Sequence, residues 1–317
     1  MPSCDDIITL ELGPYRLRSQ LAASAYGAIW RASGPCGSGD VALKLVNEAH
    51  MARALPALRE RWIASALAEI DFLQALQPWD ECHIVRLLDH GWHQGLPVQA
   101  LELLDGDLAR HLAAHGAPPL AQALAWLRQL NQALAKVHQY GWRYLDLKPA
   151  NVLVDPWLKR VKLADFGTSR RQQAAALHSY CGSAQWQAPE QFFPAAGGGY
   201  ATGQQTDYFA LGALCFAIVT GGATLDYCDE CGQAYRAAQA DGALALHQRH
   251  GGVPPTLRDS DEERFAASLP PAAVDAALTL LRALLAADPD QRPRHALHIS
   301  RLLDAIPAGE APCLRAA

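Results

Sequence analysis

The sequence lacks any apolar run long enough to cross a membrane, and it lacks a recognisable export signal. Its most apolar stretch, residues 208–219, falls short of the roughly 20 residues that a bilayer span requires, and it follows the charged Asp207. A secretory signal begins with positive charge, whereas this chain carries Asp5 and Asp6 near its start. These absences predict a buried helix at residues 208–219, no membrane span and a cytoplasmic location.

An excess of charge of one sign and a regular cysteine spacing are also missing. The 27 Lys and Arg residues nearly balance the 32 Asp and Glu residues, which gives a formal net charge of −5 and excludes a general nucleic-acid binder. The eight cysteines are scattered and form no small disulfide framework, which fits a reducing compartment. A chain of 317 residues that is 50% hydrophobic is long enough to bury a large core.

The most informative stretch that is present covers residues 144–151, and an Asp-Phe-Gly turn follows at residues 165–167. Its Asp146, Lys148 and Asn151 place a proton acceptor, a cation and a metal ligand in one short loop that a proline stiffens. The aspartate of the later turn adds the charge that holds Mg²⁺ against triphosphate oxygens. Because phosphoryl transfer consists mostly of positioning and charge neutralisation, the two loops predict a phosphoryl-transfer site.

The order of several motifs resembles the eukaryotic-like Ser/Thr protein kinase family, whose catalytic loop reads H-R-D-L-K-P-x-N and whose metal loop reads D-F-G. The motifs that carry the resemblance are Val41-Ala42-Leu43-Lys44, Glu69, the two loops, Ala188-Pro189-Glu190, Asp207 and Arg292. The resemblance covers about residues 12–303. It implies an α+β, two-lobed protein-kinase fold, with a small β-rich N-lobe at residues 1–104 and a larger, mostly helical C-lobe at residues 105–317.

In the N-lobe, one strand and one helix carry the charged candidates. Alternation along residues 41–46 places Lys44 on the same face as the small Ala42, and a helix from about Pro56 carries Glu69. From the residues alone, Lys44 is a snorkelling edge lysine and Glu69 is a solvated glutamate. The resemblance instead implies that Lys44 binds the α- and β-phosphates of ATP and that Glu69 is its ion-pair partner.

The resemblance also implies which residues surround the nucleotide. The set comprises Leu21, Gly27 and Ile29 of a hairpin, Ala42, the backbone of Glu102 and Leu104, and Leu153. Within this set, Ile29 and Ala42 roof the adenine and Leu153 forms its floor. Glu102 and Leu104 lie where the chain crosses between the lobes, and their backbone groups hydrogen-bond the adenine edge.

In the C-lobe, the resemblance implies that Asp146 orients the acceptor hydroxyl and receives its proton, and that Lys148 is the cation at the γ-phosphate. Asn151 and Asp165 are implied as ligands of Mg²⁺, or of Mn²⁺ in its place. Asp207 is expected to hold the backbone of the catalytic loop.

The chain is short of glycine where the family is rich in it. Among residues 21–29 only Gly27 is a glycine, while Ala22 and Ser24 take the other two glycine positions of the family. Glycine lets such a hairpin lie against phosphates without a Cβ, so the two substitutions predict weaker ATP binding or slower closure. Ser24 is a candidate donor to a phosphate oxygen in compensation.

The catalytic loop departs from the family pattern at two positions. Tyr144 replaces His and is expected to stack on Phe166. Leu145 replaces Arg and removes the cation that, in many relatives, pairs with a phosphate on the activation segment. We therefore expect the segment at residues 168–187 to order by packing, and the enzyme to be competent without phosphorylation there.

The activation segment carries its own signals. Its hydroxyl residues are Thr168, Ser169, Ser179, Tyr180 and Ser183. Ser183 takes the position of the threonine that marks Ser/Thr enzymes in the family. Arg292 is implied as the buried partner of Glu190.

A feature outside the family pattern is the pair Cys228 and Cys231, followed by His247 and His250. A C-x₂-C spacing with two histidines resembles a tetrahedral Zn²⁺ site, but these histidines are closer together than in most such sites. A surface loop with two free thiols and a solvated histidine pair is the favoured interpretation, and zinc is disfavoured.

The remaining patterns predict strands at residues 84–88 and 97–101 and an amphipathic helix from Leu120 to Val137. The whole sequence predicts an active Ser/Thr protein kinase that uses ATP and Mg²⁺. Its expected partners are a protein substrate, with the kinase itself as one candidate, and a regulator acting in trans, but no nucleic acid.

Two alternatives remain open from the sequence. A nucleotide-binding pseudokinase scaffold is motivated by Ala22 and Ser24. A small-molecule kinase of the same fold is the other, although such enzymes usually lack the lysine at Lys148 and the platform motif at residues 188–190.

Overall fold

The computed structural model describes residues 3–23, 27–37, 39–46, 56–155, 157–172, 177 and 179–307. Contacts between Cα atoms divide the chain into two compact units, Met1–Asp105 and Gly106–Ala317. The first unit is built mainly on a β-sheet and the second mainly on helices. This separation of sheet from helices confirms the predicted α+β class.

The first unit contains six strands and one helix in its described residues. They are β1 (Ile7–Leu10), β2 (Gly13–Ala23), β3 (Gly27–Ser33), β4 (Asp40–Val46), α1 (Pro56–Ala75), β5 (Leu87–His93) and β6 (Leu96–Glu102). The sheet order is β1-β2-β3-β4-β6-β5, and all neighbouring strands are antiparallel. The alternating burial along β4 follows the predicted period of two, with Val41, Leu43 and Leu45 in the core and Lys44 on the opposite face.

The helix predicted from Pro56 is confirmed as α1, and its buried residues include Glu69 and Leu73. The strand predicted at residues 84–88 is wrong in its bounds, because β5 begins only at Leu87. Arg86 explains the difference: its N–H donates to the Glu102 side chain at 2.8 Å, and this leaves the amide outside the strand ladder.

The second unit contains nine α-helices and five short strands in the part of the chain that is described. The helices are α2 (Leu108–His115), α3 (Leu120–Gln139), α4 (Pro189–Phe192), α5 (Gln204–Val219), α6 (Asp226–Ala238), α7 (Asp241–His250), α8 (Asp259–Ala267), α9 (Val274–Leu284) and α10 (Ala296–Asp304), with the short helical turns at Pro149–Asn151 and Ala184–Trp186 between them. The strands are β7 (Gly106–Asp107), β8 (Trp142–Arg143), β9 (Val152–Asp155), β10 (Arg160–Leu163) and β11 (Arg170–Arg171).

Two helices form the centre of the second unit. The predicted amphipathic helix is α3, in which Leu124, Leu127, Leu130, Leu134 and Val137 are buried. The predicted buried helix is α5, whose residues from Thr206 to Val219 are all buried. No described helix is both long and apolar enough to span a bilayer.

The catalytic loop is held between these central helices and two small sheets. Gly141, with φ +78°, turns the chain out of α3 and into β8, which pairs with β11. After the turn at Pro149–Asn151 the chain continues into β9, which lies between β10 and β7. Short strands therefore fix both ends of the loop.

Candidate active site

Asp146 is the central residue of the site in the second unit. Its side chain is buried, and Oδ2 accepts from Lys148 Nζ at 2.7 Å and from Asn151 Nδ2 at 3.0 Å. Asn151 Nδ2 also donates to the Asp146 carbonyl at 2.9 Å, which closes the loop on itself. Oδ1 of Asp146 has no hydrogen-bond partner among the described residues. One carboxylate oxygen is thus held by the loop, and the other can accept a proton from a bound hydroxyl.

Burial and charge act in opposite directions on this carboxyl. Desolvation raises the pKa of Asp146 above its ordinary value, and the Lys148 ammonium opposes that rise. A raised pKa makes the carboxylate a stronger proton acceptor than an exposed aspartate.

Lys148 links the catalytic loop to the activation segment. In addition to its bond to Asp146, Nζ contacts the hydroxyl oxygen of Ser183 at 2.7 Å. Ser183 directly precedes the turn Ala184–Trp186. This contact therefore joins the catalytic loop to the activation segment, which leads into the platform motif at residues 188–190.

The backbone of the loop is fixed by Asp207, as predicted. Asp207 Oδ2 accepts from the Tyr144 N–H at 2.9 Å, and Oδ1 accepts from the Leu145 N–H at 2.7 Å. Leu145 has φ +67°, a left-handed conformation that costs energy for a leucine and persists only where its surroundings determine it. Gln191 Nε2 donates to the Leu145 carbonyl at 2.9 Å, and a Cβ at Gly182 would lie 2.7 Å from the same oxygen.

Two residues of this anchor were missed by the sequence analysis. His138 Nε2 lies 2.8 Å from Asp207 Oδ2, and Gln191 holds the Leu145 carbonyl. Neither residue type has a specific spacing signal, because each acts through a contact distant in sequence. For Gln191, the available signal in the sequence is its position directly after the motif Ala188-Pro189-Glu190.

The Asp-Phe-Gly turn lies beside the catalytic loop. Phe166 is buried and packs edge-to-face on Tyr144 with ring centroids 5.1 Å apart, which confirms the predicted stacking. The Tyr144 hydroxyl donates to the Ala164 carbonyl, and the Ala164 N–H donates to the Asn151 carbonyl at 2.9 Å. These bonds hold Asn151 close in structure to Asp165, which follows Ala164.

The donors of this region suit a hard cation. Asn151 turns its Nδ2 toward Asp146, so its Oδ1 is the atom left to bind a cation, and Asp165 has an exposed carboxylate at φ +58°. Amide and carboxylate oxygens are the ligands that Mg²⁺ prefers. The residues present therefore fit a magnesium ion.

The first unit carries a second charged cluster. Lys44 Nζ lies 3.0 Å and 2.7 Å from the two carboxylate oxygens of Glu69, which confirms the predicted ion pair. Glu69 is only 1% exposed, and Gln99 Nε2 donates to its Oε2 at 3.2 Å. Gln99 pairs with Lys44 across β4 and β6, a contact that sequence spacing does not reveal.

The hairpin residues of the nucleotide set lie on β2 to β4. Leu21, Gly27, Ile29 and Ala42 are all partly buried, and Ile29 pairs with Lys44 across the sheet. Gly27 does not have a positive φ, and a Cβ there would lie 2.9 Å from the Leu45 carbonyl oxygen, so close packing on the neighbouring strand requires a glycine. Ser24 lies outside the described residues.

The other nucleotide candidates are partly buried as well. The N–H of Glu102 donates to the Arg86 carbonyl at 3.0 Å, so an adenine contact from Glu102 would use its carbonyl oxygen. Leu104 follows β6 in the first unit. Leu153 lies on β9 of the second unit, opposite Asp107.

The activation segment packs on α6 through its own uncharged side chains. Tyr180 stacks on Tyr235 with centroids 4.9 Å apart, and its hydroxyl donates to Gln187 Oε1 at 2.8 Å. Gln185 Nε2 donates to the Asp229 carboxylate at 2.7 Å. These contacts tie the segment's second half to the helical unit.

The predicted pair of Arg292 and Glu190 is confirmed. Arg292 Nη1 and Nη2 donate to the two carboxylate oxygens of Glu190 at 2.7 Å and 3.0 Å, and the Arg292 side chain is fully buried. The pair fastens the end of the activation segment to the chain before α10.

The favoured interpretation of Cys228 and Cys231 as a surface loop is wrong. Both cysteines are buried in α6, because a spacing of three also places them on one helical face. His250 contacts the Glu230 carboxylate at 3.0 Å, and the His247 ring packs against Phe193. In the described part of the chain, no cluster of three or more His, Cys, Asp or Glu could hold a metal ion.

Comparison with known proteins gives the family. The family model described as "Protein kinase domain" matches residues 15–301. The chain is 28% identical over 220 residues to "Ribosomal protein S6 kinase beta" of Caenorhabditis elegans, covering 67% of this chain and 38% of that protein. It is 29% identical over 216 residues to "Serine/threonine-protein kinase PknE" of Mycobacterium tuberculosis, covering 67% and 35%. "Sucrose non-fermenting protein kinase 1" of Fusarium virguliforme is 28% identical over 212 residues, covering 66% and 28%.

The chain spans about a third of the length of these curated relatives, between 28% and 38%. The family match, in contrast, takes in nearly the whole of this chain and includes every charged residue of the two clusters. The β-sheet unit and the helical unit are the two parts of that family's two-lobed fold, and the chain belongs to the protein kinase family.

Proposed function

We propose that this chain is an ATP- and Mg²⁺-dependent Ser/Thr protein kinase. The observation that carries the proposal is the state of Asp146: Oδ2 is held by Lys148 and Asn151, while the buried Oδ1 has no partner among the described residues. A carboxylate held in this way is preorganised to accept a proton. The names of the relatives, which include a serine/threonine-protein kinase, support the same reaction.

In the proposed reaction Asp146 Oδ1 accepts the hydrogen bond and then the proton of a serine or threonine hydroxyl. Asn151 keeps the Asp146 side chain in one orientation. Lys148 already contacts a serine hydroxyl at Ser183 and supplies positive charge next to the acceptor site. Ser183 supports a serine or threonine acceptor through its position in the family pattern.

Asn151 and Asp165 are the proposed metal ligands, through Asn151 Oδ1 and the Asp165 carboxylate. When bound, Mg²⁺ would neutralise phosphate charge on ATP, which supplies the transferred group. The Ala164 bond to Asn151 and the Tyr144 bond to Ala164 keep the two ligands in register. The hydroxyl of Tyr144 is thus proposed to help hold the two metal ligands in place, and the family's His has no hydroxyl at this position.

In the first unit, Lys44 is proposed as the ligand of the ATP phosphates, oriented by Glu69 and Gln99. The adenine is proposed to contact the set of Leu21, Gly27, Ile29, Ala42, Glu102 and Leu104, together with Leu153. The lobes are proposed to divide after residue 104, with the N-lobe at residues 1–104 and the C-lobe at residues 105–317.

We further propose that the enzyme is competent without phosphorylation of its activation segment. Leu145 offers no charge to pair with a phosphate. Neutral contacts support an ordered segment instead: the Gln172 N–H donates to the Gly141 carbonyl at 2.8 Å, and the Ser169 hydroxyl donates to the Tyr144 carbonyl at 3.3 Å. The stacking of Tyr180 on Tyr235 adds apolar contact at the other end.

A pseudokinase scaffold is the second candidate function, and Ala22 favours it. Ala22 is exposed on β2 and pairs with Ile29, so its methyl group occupies a hairpin position where the family has glycine. Binding of Mg²⁺-ATP without phosphate transfer would support the scaffold. A cytoplasmic location, a protein substrate and a regulator in trans are parts of the main proposal.

Transfer of labelled phosphate from ATP to the protein itself and to a generic basic protein tests the main proposal. We expect transfer by the wild type and at least a roughly hundredfold lower rate with Asp146→Asn, which keeps the shape but loses the proton acceptor. Equal rates would overturn the assignment. Transfer to free sugars or aminoglycosides in preference to protein would indicate a small-molecule kinase.

A further inference from the structure

Arg143 is a buried arginine that neither the family motifs nor the proposed reaction uses. It ends β8, three positions before Asp146, and is 3% exposed. Its Nη1 donates to the carbonyl of Thr202 at 2.5 Å and to the hydroxyl of the same residue at 3.0 Å, and its Nη2 donates to the carbonyl of Arg171 at 2.9 Å. All of these acceptors are neutral oxygens.

Arg143 binds one residue near the start of the activation segment and one residue beyond its end. Arg171 ends β11, the strand formed near the start of the segment, and β11 pairs with β8 itself. Thr202 follows the segment and stands just before α5, whose Asp207 holds the catalytic loop. One guanidinium therefore joins the segment's first strand, the chain after the segment and the strand that leads into the catalytic loop.

A role in stability alone does not explain this charge. In the described residues the hydrogen-bond acceptors of its Nη atoms are all neutral, and its Nε is buried without a partner. Burial accordingly lowers the pKa of the guanidinium, with only partial compensation from the more distant Asp207. A protein with an apolar side chain at a buried position is often as stable as one with a buried ion there. The presence of a guanidinium at Arg143, with its planar set of N–H donors, therefore indicates a need for a specific hydrogen-bond geometry.

We infer that Arg143 is a positioning residue that orders the activation segment on the catalytic loop through main-chain and hydroxyl oxygens. The inference rests on the proposed phosphorylation-independent function and names a residue that accomplishes it. Main-chain carbonyls and the Thr202 hydroxyl are present whether or not the segment carries phosphate. The contact therefore provides in every state the order that a phosphate would otherwise bring.

Arg171 supplies a matched control. Its side chain is exposed and lies over the Trp142 ring at 4.8 Å, while only its backbone carbonyl binds Arg143. Arg171→Gln removes one positive charge from the same segment and leaves that carbonyl in place. Arg143→Gln also removes one positive charge, and in addition it removes the planar set of N–H donors of the guanidinium.

The experiment uses the full chain after phosphatase treatment and compares Arg143→Gln, Arg143→Lys and Arg171→Gln with the wild type. We expect Arg143→Gln to lower kcat with a protein substrate at least about tenfold while ATP affinity stays within about twofold, since only positioning is lost. Arg143→Lys keeps the charge but not the planar set of N–H donors, so it should stay within about threefold of Arg143→Gln. Arg171→Gln should stay within about twofold of the wild type.

Hydrogen–deuterium exchange of residues 168–187 provides a readout that does not depend on catalysis. Exchange there should accelerate in Arg143→Gln and not in Arg171→Gln. If Arg143→Gln fails to fold, Thr202→Val removes a single acceptor and should show the same change on a smaller scale. Unchanged exchange in the altered Arg143 or Thr202 variant overturns the inference. Absent transfer by the wild type, with the exchange pattern as expected, would overturn the proposed kinase activity and leave the role of Arg143 standing.

Discussion

The catalytic loop and the hairpin proposed to bind phosphate differ in how firmly the rest of the chain holds them. The loop has its backbone bound by Asp207 on one side and Gln191 on the other, and its side chains bind one another. The hairpin of β2 and β3 has an irregular register between Gln20 and Ala22, and Ala22 itself is exposed. The loop keeps the family's Asp, Lys and Asn and departs from the pattern only at Tyr144 and Leu145, whereas the hairpin lacks two of the family's glycines.

This difference indicates where the chain tolerates substitution. A loop whose conformation is fixed by buried hydrogen bonds loses function when one partner is lost, because an unsatisfied buried group is costly. An exposed hairpin that binds a nucleotide through backbone groups can lose glycines with a smaller effect on function, and that effect should be a weaker affinity for the nucleotide. Substitutions in the two regions should therefore differ in size and in the kinetic constant that changes.

The largest effect should come from Asp165→Asn. Removing the charge of a proposed metal ligand should lower turnover at least about a hundredfold and weaken Mg²⁺-ATP binding. Initial rates and titration of ATP at several Mg²⁺ concentrations measure both. Asp71→Asn, which changes an exposed aspartate on α1, is the matched control and should behave as the wild type. A normal Mg²⁺ requirement in Asp165→Asn would remove this residue from the metal site.

Asp207→Asn should break the anchor of the catalytic loop with a smaller loss of rate. An asparagine can accept from only one of the Tyr144 and Leu145 amides, so one buried N–H loses its partner, at about 1–3 kcal/mol of unfolding free energy. Urea unfolding measures the change. Asp304→Asn breaks an exposed pair with Arg128 and should cost less than about 1 kcal/mol. Equal losses in the two variants would mean that the anchor contributes no more to stability than an exposed ion pair.

The smallest effect should follow from restoring glycine in the hairpin. Ala22→Gly combined with Ser24→Gly should lower the KM for ATP a few-fold and leave kcat nearly unchanged. The reason is that glycine restores conformational freedom to the backbone of the hairpin. Steady-state kinetics over a range of ATP concentrations gives both constants. A higher KM would instead indicate that the Ser24 hydroxyl binds a phosphate.

Motif order predicted the parts of the site that depend on residue type at a fixed position. The Lys44 pair with Glu69, the Arg292 pair with Glu190 and the Asp207 anchor are all present. Each joins charged side chains or a charged group and backbone, so the sequence carries a clear signal for it.

The sequence did not predict the contacts that neutral side chains make with partners distant in sequence. Gln99 on Glu69 and Gln191 on Leu145 depend on register and on long-range packing rather than on spacing. The burial of Cys228 in α6 was missed because a C-x₂-C pattern fits a metal loop and a helical face equally well. The strand at residues 84–88 failed because a side chain, Glu102, took the amide that a ladder would have used.

We propose that protein contacts alone order the activation segment around the catalytic loop. The most direct measurement compares initial rates of phosphatase-treated and untreated enzyme, with mass spectrometry to confirm that phosphate has been removed. Ser179→Ala is the matched variant, because Ser179 is exposed on the activation segment, whereas Thr168 and Ser169 bond to Tyr144. We expect all rates to agree within about twofold. A loss greater than about tenfold in both the treated enzyme and Ser179→Ala would contradict the account, because phosphate would then supply the order that we assign to packing.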